Sequence, residues 1–240
     1  MAQKAWKLLN LVVEHSYMKI LVIAPHPDDE TLGCGGTIKK YIKEGNDVFL
    51  CIVTKAYTPD WSDEFIKNRE KEIENSAKEL GIKKVVNLDL PTVKLDTLPQ
   101  KDLNDAISKC VNDIKPEIAF IPFHGDINKD HKLVSEATLV ALRPKPGSPT
   151  KKVYLYEVLS ETEWSKPAQK IEDVFVPNYY EDITDFLDDK IKVMKCYKSE
   201  VKEYPHPRSL EGIKVLAQKR GMEIGVKYAE AFMLLRQINS

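Results

Sequence analysis

Short strand-like runs alternate with helical stretches over the first two thirds of the chain, and this alternation constrains the fold more than any other feature. Five runs rich in β-branched and other apolar residues have the length of buried strands. They cover residues 19–24, 47–53, 84–88, 117–122 and 152–157. Strands that alternate with helices form a parallel sheet, because each crossover places a helix on a sheet face. The sequence therefore predicts an α/β fold, a Rossmann-like, doubly wound and mostly parallel sheet with helices on both faces.

The stretches between and after these runs carry helical patterns. Helices are predicted over residues 33–44, 63–80, 100–114 and 131–142, each ending at a glycine or before a proline. After Pro177 the pattern is helical over residues 183–199 and 209–237, with a break expected near Gly221. No repeat or linker divides the chain, so residues 18–240 are predicted to form a single domain. Residues 1–17 are predicted to be an N-terminal extension, whose apolar spacing fits a short amphipathic helix.

Charge and hydropathy exclude two classes of partner. The 36 basic residues are scattered among 37 acidic ones, so no basic surface is expected to bind a nucleic acid backbone. No apolar run approaches the roughly 18–20 residues of a membrane span. The four cysteines lack C-x-x-C spacing, which is typical of free thiols in a reducing compartment. A cytoplasmic protein is expected, and a homo-oligomer remains open.

A dense polar motif directly follows the first predicted strand. Residues 24–30, A-P-H-P-D-D-E, lie where the sites of open α/β sheets gather. The two prolines stiffen the turn, while His26 and Asp29 offer a nitrogen and an oxygen, both suitable ligands for Zn²⁺. Capping of the next helix would explain one or two of the acidic residues. It leaves His26 and the repulsion of three adjacent carboxylates unexplained, so the motif favours a metal site.

A second polar loop follows the fourth predicted strand. Residues 123–131, F-H-G-D-I-N-K-D-H, begin like a calcium loop, but the sixth position is His131 instead of glycine and the twelfth is Ala137 instead of glutamate. The pattern therefore excludes an EF-hand. A lone histidine is usually structural. Two such loops at neighbouring strand ends favour a shared site in which His131, at the start of a helix, points toward His26.

With both motifs in place, the chain resembles the PIG-L or LmbE-like N-acetylglucosaminyl deacetylases. Their first motif reads A-H-P-D-D-E and their second ends in D-H. Residues 24–30 match the first with one inserted proline, and residues 130–131 match the second. The resemblance continues through L-G-C-G-G at 32–36, R-x-x-E at 69–72, P-H-P-R-S at 205–209 and A-E-A-F at 229–232. It implies an LmbE-like fold and a hydrolase that removes the N-acetyl group from an N-acetylglucosamine-type sugar.

The resemblance also implies roles for individual residues. It assigns zinc, or another divalent transition metal, to His26, Asp29 and His131, and the general base to Asp28. Many members carry a histidine where this chain has Asn128, and an amide can donate a hydrogen bond but delivers no proton at neutral pH. Asn128 is therefore predicted to contact the substrate or its developing oxyanion, with a brace of its own loop as the alternative.

The general acid is left open by this departure. Asp28 acting twice, His124 and His206 are its candidates. The residues expected to support the ligands or contact the substrate are Glu30, Arg69, His124, Asp130, His206 and Arg208. The expected partner is a small N-acetylated sugar or sugar conjugate.

Two other functions compete with this interpretation. A receiver-like, Mg²⁺-dependent phosphorylation module would use the acidic pair after the first strand together with Asp89 after the third, but it gives no role to His26 or His131. A sugar-binding member of the same fold would keep the metal and the sugar but would have lost turnover with the missing histidine. Amide hydrolysis at stoichiometric zinc separates this member from an enzyme.

Overall fold

The five predicted strands pair into one sheet, which two further strands extend. The structure, a computed structural model, describes residues 17–167 and 170–239. Its strands are β1 (Lys19–Ala24), β2 (Asp47–Lys55), β3 (Lys84–Pro91), β4 (Ile118–Pro122), β5 (Lys152–Tyr156), β6 (Tyr179–Asp182) and β7 (Ala229–Gln237). Its α-helices are α1 (Asp29–Lys43), α2 (Asp63–Leu80), α3 (Gln100–Ile114), α4 (Lys129–Ala141), α5 (Leu187–Met194) and α6 (Leu210–Ile224). Short 3₁₀ helices cover Leu95–Thr97 and Ile171–Asp173.

The strand order is β3-β2-β1-β4-β5-β7-β6. Strands β1 to β5 are parallel to one another, whereas β7 runs antiparallel to both β5 and β6. The predicted mostly parallel α/β sheet is thus confirmed.

Alternate side chains of β1 divide the interior into two cores. Ile20 and Val22 pack on one sheet face, against α1, α2, α5 and α6, while Leu21 and Ile23 pack on the other, against α3 and α4. All four are at most 1% exposed. A central strand buried on both faces has a continuous apolar sequence, as this one does, because successive side chains point to opposite faces.

The order of the strands also fixes where a ligand can bind. From β1 the chain proceeds outward through β2 and β3, and it then returns to place β4 on the other side of β1. The carboxyl ends of β1 and β4 therefore flank a crevice at the point where the winding reverses, the usual ligand position in open α/β sheets. Both polar motifs of the sequence lie at this crevice.

The C-terminal region differs from the prediction. Residues 209–237 do not form one helix broken near Gly221, because α6 ends at Gly225 in the left-handed conformation (φ 77°) and the chain then forms β7. The stretch A-E-A-F-M-L-L-R-Q consists mostly of good helix formers, yet pairing with β5 and β6 overrides this weak local preference. Strand β6, at Tyr179–Asp182, was not predicted, and the helix predicted over 183–199 is limited to Leu187–Met194.

Helix α1 begins at Asp29, four residues earlier than predicted. Its glycines are therefore interior and serve close packing. A Cβ on Gly33 would lie 2.3 Å from Cδ2 of Tyr156, and one on Gly36 would lie 2.8 Å from Cγ2 of Ile183. The glycines lower the intrinsic stability of the helix but let it approach β5 and the loop after β6.

A buried ion pair fixes α1 on this face. Nζ of Lys190 lies 2.6 Å from Oε1 of Glu230 and donates to the carbonyl oxygen of Leu32 at 2.8 Å. The Glu230 carboxylate also accepts from the backbone N–H groups of Gly36 (2.9 Å) and Thr37 (2.7 Å). Removing one member of such a pair typically costs about 3–5 kcal/mol, because the other charge is left buried and unpaired. The position of α1, and with it the start of the first motif, is therefore strongly constrained.

Three further predictions concern membrane spans, the cysteines and the N-terminal residues. No helix in the described part of the chain has both the length and the apolar character of a membrane span. The four cysteines are free, and Cys34, Cys51 and Cys110 are buried in the cores. The predicted N-terminal extension lies outside the described residues except for Tyr17.

Candidate metal centre and active site

Three ligand atoms from the two motifs converge at the crevice between β1 and β4. Nδ1 of His26 lies 3.3 Å from Nε2 of His131. Oδ2 of Asp29 lies 3.3 Å from the same Nε2 and 3.5 Å from Nδ1 of His26. The structure thus brings together the three residues that were predicted as ligands, and they form a potential metal-binding group.

The triangle has the dimensions of a tetrahedral zinc site. Zinc bonds of about 2.0–2.1 Å to nitrogen and oxygen place the ligand atoms of a tetrahedron about 3.3–3.4 Å apart. The measured edges of 3.3, 3.3 and 3.5 Å agree with this spacing. In addition, Oδ1 of Asp29 is buried without a hydrogen-bond partner, an arrangement that is costly unless a cation satisfies the oxygen. The donor set of two imidazoles and one carboxylate fits Zn²⁺.

A carboxylate stands behind each imidazole. Oδ2 of Asp126 lies 2.8 Å from Nδ1 of His131, and Oδ2 of Asp130 lies 3.1 Å from Nε2 of His26. Each histidine can donate its outer N–H to this carboxylate and direct the lone pair of its other nitrogen at the shared centre. Asp126 is itself held by the Thr162 hydroxyl, which donates to its Oδ1 at 2.6 Å. The ring orientations are therefore set before any metal binds.

The surrounding carboxylates give the centre a preference for positive charge. Burial alone would lower the pKa of His26, but its hydrogen bonds to Asp130 and Asp29 raise the pKa to about 9. The pKa of His131 is likewise held well above its usual range by Asp29 and Asp126, against the effect of burial. Burial would raise the pKa of Asp29, yet His131 and His26 hold it well below its usual range. A cation at this position replaces the charge that protons otherwise supply.

The turn before α1 separates the two aspartates of the first motif. Asp29 turns inward, where its Oδ2 also accepts from the backbone N–H of His26 at 2.8 Å. Asp28 occupies the N-cap position in the left-handed region (φ 108°), and its side chain makes no capping bond. A non-glycine residue in that region is strained, as is common at functional sites. The helix-capping interpretation of this acidic pair is therefore wrong for Asp28.

The side chain of Asp28 is directed at an arginine. It is 1% exposed, and its Oδ2 lies 3.3 Å from Nη1 of Arg208. Burial raises the pKa of Asp28 well above its usual range, and the guanidinium of Arg208 opposes part of that shift. This carboxyl group therefore binds a proton more readily than an exposed aspartate does, a property that suits a group that takes and returns a proton.

A cavity of about 290 Å³ opens above the centre. His26, Asp28 and Asn128 line it on the side of the two motifs. Another part of the wall is formed by Trp61 and by residues of α2 that recur at intervals of three or four positions, so that they share one face of the helix. They are Trp61, Phe65, Ile66, Arg69, Glu70 and Ile73. The cavity is the place where a substrate can reach the centre.

Asn128 has a structural task in addition to its place at the cavity. It is the N-cap of α4, and its Oδ1 accepts from the backbone N–H of Asp130 at 3.0 Å. Because the oxygen is engaged in capping, only the amide nitrogen remains to donate toward a substrate. The cap also fixes the start of the helix that carries Asp130 and His131.

The two predicted arginines line the cavity, but each is engaged by glutamates. Arg69 forms a close ion pair with Glu200. Arg208 donates to Glu200 at 3.1 Å and to Glu161 at 3.0 Å. Their guanidinium groups therefore hold the acidic side of the cavity in place.

Glu30, His124 and His206 do not line the cavity. The carboxylate of Glu30 is buried, where it accepts from the hydroxyl of Tyr197 at 2.8 Å and from the backbone N–H of Asp28 at 3.2 Å. It supports the turn from behind. His124 packs against Phe123, and Nδ1 of His206 accepts from the backbone N–H of Arg208. The prediction that His124 or His206 supplies the general acid receives no support from these positions.

Sequence reasoning missed three acidic residues of the site. Asp126 carried a signal, since it lies five residues before His131 in the stretch that was compared only with a calcium loop. No sequence pattern marked Glu161 or Glu200 as part of the site. They come from loops far from both motifs, and only the folded chain places them beside Arg208.

Comparison with known proteins agrees with this geometry. The model of the PIG-L family, described as GlcNAc-PI de-N-acetylase, matches residues 21–142. That segment runs from β1 to the end of α4 and includes both motifs.

Two relatives and one solved structure extend the comparison. The chain is 32% identical over 136 residues to a probable N-acetyl-alpha-D-glucosaminyl L-malate deacetylase 2 of Bacillus subtilis, covering 52% of this chain and 61% of that protein. It is 26% identical over 222 residues to a diacetylchitobiose deacetylase of Thermococcus kodakarensis, covering 88% of this chain and 81% of that one.

The N,N'-diacetylchitobiose deacetylase of Pyrococcus horikoshii, solved with an inhibitor, superposes with a TM-score of 0.73 at 24% identity over 98% of this chain and 93% of that one. At this identity the superposition shows a shared fold. Because the family model matches half of the chain and covers both motifs, the chain belongs to the PIG-L family.

Proposed function

We propose that this protein is a zinc-dependent deacetylase that hydrolyses the N-acetyl group of an N-acetylglucosamine-type sugar. The observation that carries the proposal is the triangle of His26, Asp29 and His131 beside the buried carboxyl group of Asp28. The names of the relatives support the reaction, since they are deacetylases of diacetylchitobiose and of an N-acetylglucosaminyl malate.

In this proposal Nδ1 of His26, Nε2 of His131 and a carboxylate oxygen of Asp29 hold the metal. When bound, zinc supplies a Lewis acid and lowers the pKa of water in its open coordination position. The chain's own part is to present these three atoms without rearrangement, which Asp126 and Asp130 achieve by fixing the two imidazoles. The same three ligands can bind a different divalent transition metal with similar preferences in place of zinc.

Asp28 carries the proton in both halves of the reaction. The carboxylate takes a proton from water as the water oxygen forms a bond to the amide carbon. When the C–N bond breaks, the same group returns that proton to the leaving nitrogen, so the products are acetate and a free amine. Asp28 can serve twice because burial raises its pKa and so favours the protonated form, while the guanidinium of Arg208 opposes part of that shift and favours the ionised form.

In this proposal Asp28 also supplies the general acid that Asn128 cannot provide. Of the histidines in the described ranges, neither His124 nor His206 lines the cavity, so neither is placed to act as the acid. The amide nitrogen of Asn128 is proposed to donate to the carbonyl oxygen of the substrate, where negative charge develops. Membership of the PIG-L family leaves the receiver-like alternative without support. A sugar-binding protein without turnover remains the competing function, and the assays below distinguish it.

We expect purified protein to hold about one divalent metal ion per chain, and His26→Ala or His131→Ala to lose it, because two remaining ligands seldom retain zinc. Metal content by mass spectrometry and amine release from N-acetylated sugars should fall together. His206→Ala, which changes a histidine outside the cavity, serves as the control for metal content. Full occupancy in a variant lacking both His26 and His131 would show that the metal lies elsewhere.

Asp126→Asn should weaken metal binding by about 10- to 100-fold, since groups that orient a ligand typically have effects of this size. The amide oxygen can still accept a hydrogen bond, but the charge that favours the correct tautomer of His131 is lost. Competition with a chromophoric chelator measures the affinity. The matched control is Asp96→Asn, which changes an exposed aspartate in the 3₁₀ helix Leu95–Thr97. Equal affinity in both variants would remove Asp126 from the centre.

Asp28→Asn should keep the metal and lower kcat by about 10²- to 10⁴-fold, the usual contribution of a positioned proton carrier. Steady-state amine release and metal content are measured on the same preparation. If this variant lost its zinc while Asp29→Asn retained it, the roles of the two aspartates would be reversed. A protein that binds sugar without turnover predicts that kcat is already negligible in the unchanged chain.

The two tasks of Asn128 can be separated with serine. Asn128→Ala should lower the free energy of unfolding by about 1 kcal/mol through loss of the cap. Asn128→Ser keeps a capping oxygen and should retain stability. If the amide donates to the oxyanion, the decrease in kcat/KM should correspond to a loss of about 2–4 kcal/mol of transition-state stabilisation. Urea unfolding and amine-release kinetics are compared for both variants. Normal kcat/KM in Asn128→Ser would limit Asn128 to the cap.

A further inference from the structure

The cations that line the cavity are already neutralised by carboxylates. Among the described residues of its wall, Lys55, Arg69 and Arg208 are the lysines and arginines. Nζ of Lys55 lies 2.7 Å from Oε1 of Glu70. Arg69 is paired with Glu200, which also accepts from Arg208. Each cation thus has an acidic partner that itself lines the cavity.

Acidic groups outnumber these cations. Five carboxylates line the cavity against the lysine and two arginines; three of them, Asp28, Glu161 and Glu200, share Arg208, and Asp89 is a further acidic group in the wall. Recognition of phosphate or carboxylate usually depends on an arginine or lysine that is available to form charge-assisted hydrogen bonds. An anionic group entering here would have to displace a glutamate from its partner and would be repelled by the remaining carboxylates.

The α2 wall adds an apolar surface. Trp61 precedes Ser62, which caps α2 by accepting from the backbone N–H of Phe65, so the tryptophan is held at the start of the helix. Its ring lies 5.4 Å from that of Tyr57 in an edge arrangement. Phe65, Ile66 and Ile73 continue the surface along the helix. Aromatic and aliphatic walls with a few polar groups are typical of sites for uncharged small molecules.

We propose that this cavity selects an uncharged N-acetylated amino sugar or short neutral oligosaccharide and discriminates against conjugates that carry phosphate or carboxylate. The inference rests on the proposed deacetylase function and specifies its substrate class. The C–H faces of the sugar pack on Trp61 and Phe65, while its hydroxyl groups exchange hydrogen bonds with the paired charges. Glu70 is a specificity-determining residue in this arrangement, because it neutralises Lys55 at the rim.

The Lys55–Glu70 pair offers a direct test, since both side chains are about half exposed (41% and 52%) and the fold does not depend on them. Glu70→Gln releases Lys55 without changing the size of the side chain. Glu136→Gln is the matched control on α4, where Glu136 is 47% exposed beside Lys132.

The substrates for this test share one sugar and differ in charge. They are methyl α-N-acetylglucosaminide, N-acetylglucosamine 1-phosphate and the α-linked L-malate conjugate. For the zinc-loaded protein we expect kcat/KM for the neutral glycoside to exceed that for either anion by about tenfold or more. In Glu70→Gln the preference should fall by roughly three- to tenfold, and the change should shrink in high salt because exposed charges are screened. Glu136→Gln should keep the preference of the unchanged protein.

Binding affinities of the same compounds, measured by calorimetry, test the selection of neutral sugars separately from the proposed deacetylase function. If no compound releases an amine, the proposed function is wrong, and the order of affinities still tests the selection of neutral sugars. Equal or tighter binding of the phosphate or malate conjugate overturns the inference whether or not turnover occurs. An unchanged preference in Glu70→Gln at low salt also contradicts it, because Lys55 would then have no influence on the choice of substrate.

Discussion

The hydrogen bonds between the two histidines and the carboxylates behind them are the interactions on which the site depends. An imidazole can rotate and can carry its proton on either nitrogen. Asp126 and Asp130 remove both freedoms and leave Nδ1 of His26 and Nε2 of His131 3.3 Å apart. The parallel neighbours β1 and β4 make this possible, because their carboxyl ends deliver the two motifs to one crevice.

Helix α1 carries Asp29, the third member of the group, and its position is fixed at its middle and at its start. The Lys190–Glu230 pair and the interior glycines hold its middle close to β5. At its start, the strained conformation of Asp28 directs that carboxylate away from the helix cap and toward Arg208, while Asp29 faces the histidines. Two adjacent aspartates thereby reach opposite electrostatic environments, one with a raised and one with a lowered pKa. In the proposed function, that separation allows Asp29 to bind the metal while Asp28 carries a proton.

The sequence predicts the centre better than it predicts its surroundings. The grouping of His26, Asp29 and His131 follows from motifs next to parallel strands, whose carboxyl ends share an edge by geometry. Strand β7 was missed because its residues favour a helix locally, and pairing with β5 and β6 decides its structure. The partners of Arg208 were missed for a similar reason, since Glu161 and Glu200 meet it only through long-range packing. Local sequence patterns thus identify the candidate metal ligands, while tertiary contacts determine which charged side chains line the cavity.

The central claim is that three named atoms form a metal site before any metal binds. Anomalous scattering at the zinc edge, from crystals of the protein grown with one equivalent of Zn²⁺, tests it most directly. The account predicts one strong peak about 2.0–2.2 Å from Nδ1 of His26, Nε2 of His131 and an oxygen of Asp29, with Asp126 and Asp130 still bonded to the outer nitrogens. A peak on other residues, a peak bound by Asp28 in place of Asp29, or no peak at full zinc occupancy in solution would contradict it.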